Sequence, residues 1–153
     1  MITEDFIDFE TAKLLKEKGF DGPCYKVWES HGKSSTLVSA SCFVEGETVV
    51  NKKLVDTAAK LYAYEYSLNN KVEGYLAPTL QMVMKWLREE HNICIQLTFH
   101  QNIKKEWGWY FMYFVMGTNS LKNCVREFGL SKTYSSYEEA CEAAIKCCLE
   151  NLI

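Results

Sequence analysis

The stretch WGWYFMYFVM, residues 107–116, constrains the fold more than any other part of the chain. It holds no charged residue, so most of its side chains must be hidden from water by something. Read with a strand's period of two, Trp107, Trp109, Phe111, Tyr113 and Val115 point one way. Gly108, Tyr110, Met112, Phe114 and Met116 point the other way, so both faces are apolar. A membrane-spanning helix needs roughly 20 apolar residues, about twice this length, so a strand fits better. Such a strand either runs covered on both sides through a core or gives one face to a partner. Trp, Tyr, Phe and Met are enriched at partner contacts. Internal core and homo-oligomer contact are both open at this point.

The neighbouring segments place this strand in an α–β–β unit. In YLAPTLQMVMKWLREEHN (75–92), Pro78 stands before a Thr79 N-cap. Leu80, Val83, Met84 and Leu87 make an apolar stripe widened by Trp86, and Asn92 suits the helix end. ICIQLTFH (93–100) alternates: Ile93, Ile95, Leu97 and Phe99 face inward, while Cys94, Gln96, Thr98 and His100 face out. QNIKKE then turns the chain into the aromatic strand.

Elsewhere, FETAKLLKEKGF (9–20) reads as a helix capped by Asp8, with Gly19 as the residue after it and Phe20 folding back on Leu15. Strands follow at 24–30 and 36–44, the second with Val38, Ala40, Cys42 and Val44 on one face and mostly serine on the other. Residues 51–70 carry helical spacing, which favours a helix, while their tail LYAYEYSL alternates equally well as a strand. In SYEE, Ser136 with Glu139 forms a capping box opening the last helix, lined by Ala140, Cys141, Ala144, Ile145, Cys148, Leu149 and Leu152. The sum is an α+β domain: an antiparallel sheet of about four strands with N-terminal, central and C-terminal helices. At 153 residues the chain is expected to be one domain spanning 1–153. There is no repeated βαβ rhythm and no glycine fingerprint for a doubly wound nucleotide fold.

Composition narrows the function classes. The net charge of −3 argues against nucleic acid as a partner, since phosphate neutralisation needs a concentrated basic face. Lys13, Lys16 and Lys18 share their helix with Glu10 and Glu17, which reads as a solvated face. The start, MITEDFIDFETAKLL, has neither the basic opening nor the apolar run of a signal peptide. Seven cysteines with no C-x-x-C pair suggest reduced, buried thiols in a cytoplasmic protein away from membranes.

FETAKLLKEKGF, APTLQMVMKWLREEHNICI and YSSYEEACEAAIKCCLENL together resemble a group of small bacterial and phage proteins without an assigned activity. In that group an "APT…KWLRE" helix precedes a strand, a tryptophan-bearing strand and a closing "SYEEA…AI" helix. The likeness covers about the first twenty residues and 75–152, in the same order, and departs over 44–74, a variable or inserted segment. It implies an accessory protein of a mobile element, with counter-defence as one setting. It carries over no catalytic residue and no cofactor.

Chemical constellations are sparse. His91 and His100, with Glu89 and Glu90 beside the first, lack the close spacing of metal ligands. Cys147 and Cys148 diverge by about 100° on a helix and cannot chelate together. No catalytic or metal-binding residue is assigned, and no cofactor is expected. Lys85, Arg88 and the Lys104–Lys105 turn are cations near aromatics, a recipe for stacking a nucleotide-like anion. The expected site is therefore Trp107, Trp109 and Tyr110 with Lys85 and Arg88. It belongs to a non-enzymatic binding protein, a homo-oligomer engaging a host protein or a small anionic ligand. The alternative is a small hydrolase or nuclease built on His91, His100 and nearby acids.

Overall fold

The structure is a computed structural model that describes residues 4–22, 24, 26–30, 32–39, 73–117 and 132–153. Among them are helices α1 (Phe9–Glu17), α2 (Leu80–Glu90) and α3 (Tyr137–Asn151), N-terminal, central and C-terminal. The strands are β1 (Lys26–Ser30), β2 (Ser35–Ser39), β3 (Glu73–Leu76), β4 (Ile93–Gln101) and β5 (Trp107–Val115). The α+β expectation holds, but the strands divide into two antiparallel sheets, β2-β1-β3 and β4-β5. The helical pattern of 51–70 and the end of the strand read at 36–44 lie outside the described residues. The chain forms two compact units, residues 1–79 and 80–153.

In the first unit, α1 begins where Asp8 accepts a 2.7 Å hydrogen bond from the Thr11 amide. It ends in a Schellman motif. The Phe20 amide donates to Leu15 at 3.0 Å and Gly19 to Lys16 at 3.2 Å. Gly19 sits at φ 79°, which glycine adopts without strain. Beside this helix, Trp28 of β1 pairs with Tyr75 of β3, and the Phe9 ring meets both edge-on at 6.2 and 5.4 Å. The Trp28 indole donates to the Ile7 carbonyl at 2.9 Å. Two lysines of the solvated face also lie over rings, Lys13 above Phe9 and Lys16 above Tyr75.

Strand β3 runs just ahead of the helix expected from the Thr79 cap. Its ladder is made with β1, far earlier in the chain, and the Ala77 amide extends it to Lys26 at 2.9 Å. Ala77 also precedes Pro78, a position that disfavours helix.

In the second unit, α2 buries Leu80, Val83 and Leu87. Asn92, at φ 56°, then reverses the chain into β4. β4 and β5 pair along their full lengths, from Ile93 opposite Val115 to Gln101 opposite Trp107. Helix α3 starts with Ser136 accepting from the Glu139 amide at 3.1 Å. The box is shifted by one residue: the Glu139 carboxylate reaches Ser135, accepting from its amide at 3.0 Å and its hydroxyl at 2.7 Å. From there α3 buries Ala140, Cys141, Ala144, Ile145, Cys148 and Leu149. Cys141 Sγ meets Met84 Sδ of α2 at 3.2 Å, so the two helices pack together beside the hairpin.

Candidate functional site

The hairpin turn is organised by its own polar groups. Asn102 and Glu106 exchange side-chain and backbone hydrogen bonds, three of them at 2.9 Å. Lys105 takes the left-handed conformation at φ 65°, and its carbonyl accepts from the Gln101 side chain at 2.8 Å. With the acid held in the turn, Lys104 and Lys105 are left exposed at the tip.

Beside this turn lies a cluster of rings. Phe99 stands opposite Trp109 across the ladder. Its ring stacks on Trp107 at 5.6 Å and 21°, and tilts against Trp109 at 5.3 Å. Trp109 in turn meets Tyr137 at the start of α3 edge-on at 5.2 Å. Burial fades outward along this row: Trp109 is half-buried, Phe99 52% exposed, Trp107 63% and Ile103 in the turn 88%.

The other face differs. Tyr110 is 5% exposed, its ring edge-on to His100 at 4.2 Å, and its hydroxyl has no hydrogen-bond partner among the described residues. Residues 133 and 134 run along the outer edge of β5. Trp109 and Tyr134 exchange two backbone hydrogen bonds of 3.0 Å, and a Cβ at Gly108 would stand 2.6 Å from that of Thr133. Glycine at 108 permits this close approach.

The expected site residues therefore separate. Trp107 and Trp109 share one face with Phe99, while Tyr110 lies buried on the opposite one. Lys85 and Arg88 are exposed on α2, where Lys85 pairs with Glu89 at 3.9 Å. Among the described residues neither cation lies over a ring. Arg88 falls in the last turn of α2, next to the start of β4, whereas Trp107 faces its end. A nine-residue strand spans roughly 26–30 Å. The cations at the Trp107 end of the hairpin are Lys104 and Lys105, exposed in the turn. The alternation also placed Phe99 inward with Ile93 and Ile95. It shares their face, but it lies near the end of the hairpin and is exposed.

The histidines do not share a centre. His91 packs against Trp86 at 4.4 Å before β4 begins, and His100 against Tyr110 near its far end. Among the described residues no three His, Cys, Asp or Glu side chains converge as metal ligands would. Burial, together with Glu142 and Glu138, pushes the Cys141 thiol up to about 12, which keeps it protonated and unreactive near neutral pH. No described helix is long and apolar enough to cross a membrane. Comparisons with protein-family models, curated proteins and solved structures find no match to this chain.

Proposed function

We propose that the protein is a non-enzymatic interaction protein whose binding surface is the tip of the β4–β5 hairpin. The observation that carries this reading is the exposure of Phe99, Ile103 and Trp107 together, at 52%, 88% and 63%. Contiguous apolar surface of this kind is kept exposed where something is to cover it. Rings held in place by mutual stacking lose little freedom on binding, and Trp is among the residues that dominate binding energies. Lys104 and Lys105 add a cationic rim. In the mobile-element setting implied by the resemblance, the occupant is a host protein or a nucleotide-like anion met in counter-defence, or another copy of the chain.

Native mass spectrometry of the protein as purified from cells tests this reading, with Trp107→Ser as control. The expected result is a bound species or oligomer that the substitution removes while the circular dichroism spectrum is retained. A bare monomer for both proteins overturns it.

A further inference from the structure

The Trp107 ring has one face taken and one face free. Its stacking partner Phe99 stands opposite Trp109, two residues farther from the turn than Gln101, which stands opposite Trp107. Phe99 therefore covers the side of the Trp107 ring that looks away from the turn. The second side looks toward the turn, and with Trp107 63% exposed it is open to solvent. The two rings stack at 5.6 Å and 21°, so a third flat ring laid on the open side continues the stack. A planar aromatic ligand uses that geometry, whereas an aliphatic chain has no preference for it.

Beside this open side lies an oriented amide. Gln101 is exposed and pairs with Trp107 across the ladder, which puts both side chains on one face, about 5 Å apart at Cβ. Its Nε2 donates to the Lys105 carbonyl at 2.8 Å, turning the amide toward the turn, the direction in which Trp107 is open. That bond uses one of the two amide N–H groups. The other, with Oε1, is available among the described residues. A carbonyl and an N–H side by side match the N6 donor and N7 acceptor of adenine, the pairing glutamine makes with that base.

The charge of the turn suits the rest of such a ligand. Lys105 and Lys104 precede Trp107 by two and three residues, so chain length alone keeps their Cα atoms within about 7 and 11 Å of its own. Glu106 offsets one of the two cations, and its carboxylate is engaged by the Asn102 side-chain amide at 2.9 Å. The turn therefore keeps a net positive charge where a phosphate chain leaving the stacked base would run.

Resting on the reading of the hairpin tip as an interaction surface, we propose that its occupant is an adenine nucleotide free in solution. The base stacks on the turn-facing side of Trp107, the Gln101 amide pairs with N6 and N7, and Lys104 and Lys105 take the phosphates.

The test is sedimentation of the full chain with ATP, inosine triphosphate or adenosine, the bound fraction being the ligand that moves with the protein. ATP is expected to bind about tenfold tighter than inosine triphosphate, whose oxygen at position 6 meets the Gln101 carbonyl oxygen. Gln101→Leu removes that preference while ATP still binds through the ring and the phosphates. Lys104→Ala combined with Lys105→Ala brings ATP down to the level of adenosine, and Trp107→Ser weakens ATP by about tenfold or more. If Trp107→Ser fails to fold, the wild-type preference and its loss in Gln101→Leu decide. Equal binding of ATP and inosine triphosphate overturns the proposal, as does a preference that survives Gln101→Leu. ATP binding that a folded Trp107→Ser retains in full puts the nucleotide elsewhere and overturns it too. Oligoadenylate that binds tighter per base than ATP overturns the free nucleotide in favour of a single strand. No ATP binding, with a Trp107-dependent partner or oligomer still seen by native mass spectrometry, overturns the nucleotide and leaves the interaction surface standing.

Discussion

The two halves of the β4–β5 hairpin carry the same alternation and meet opposite fates. On one face, Ile93, Ile95, Phe111 and Tyr113 are buried, while Phe99 and Trp107 at the other end are exposed. Composition does not separate them, since the exposed end is the more aromatic. The difference is one of length. An eleven-residue α2 is roughly 16 Å long and a fifteen-residue α3 roughly 22 Å, against roughly 26–30 Å for a nine-residue strand. Helices beside this hairpin are shorter than it is. Period two tells which residues share a face, and the reach of the neighbouring helices tells which of them are hidden.

That contrast predicts unequal responses to substitution. The largest belongs to the inner half: Leu87→Ala on α2, at a side chain with no exposure, should destabilise the fold by about 2–5 kcal/mol. Chemical denaturation measures it as a lowered midpoint at constant slope. Next comes Gly108→Ala, in the outer half beside Trp107. Its new methyl would meet the Thr133 side chain and approach the Tyr134 carbonyl. Overpacking of this kind costs about 1–3 kcal/mol. Faster amide exchange at Trp109 and Tyr134, with the β4–β5 amides unchanged, would locate the damage at that contact.

Where cover by α3 begins is set by its cap, and Ser136→Ala should remove about 1 kcal/mol. The partner carboxylate gives this cap a pH dependence. Hydrogen bonds from the Ser135 hydroxyl and backbone hold Glu139 below its usual value of 4.5. A carboxylate shifted downward stabilises the fold above that usual value, and the contribution is lost as pH falls through the lower, folded-state value. Melting temperature should thus drop on acidification in the wild type, and less so in Ser135→Ala. An equal drop in both would detach Glu139 from the cap.

The features legible in the sequence are those decided within a few residues. Asp8, Gly19 with Phe20, Asn92 and Ser136 all mark helix ends, and each works through contacts with its own turn. What escaped the sequence was settled by distant partners. β3 exists through its ladder with β1, and the strands sort into two sheets rather than one because of such pairings. Tyr110 was grouped with Trp107 and Trp109 although period two already sets it on the other face, where it is buried. Lys85 and Arg88 were close in sequence terms to the turn lysines, but a strand's length separates the two ends of the hairpin. Phe99 and Ile103 had a usable signal in their nearness to the turn, where cover by helices runs out.

The smallest predicted effect on stability is also the one that divides structure from function most cleanly. Trp107 lies at the exposed end of the ring row and stacks chiefly on Phe99, itself 52% exposed. Replacing it with serine removes a contact that water already shares, so stability should change by no more than about 0.5 kcal/mol. The same substitution takes away the largest exposed ring of the proposed surface, and association should weaken by a factor of about 30 or more, the equivalent of a ~2 kcal/mol hot spot. Denaturation and sedimentation on one protein sample give both numbers. If stability falls as far as in Leu87→Ala, the outer half is core and the contrast between the halves collapses. A loss confined to association means that the outer rings are maintained for contact rather than for folding.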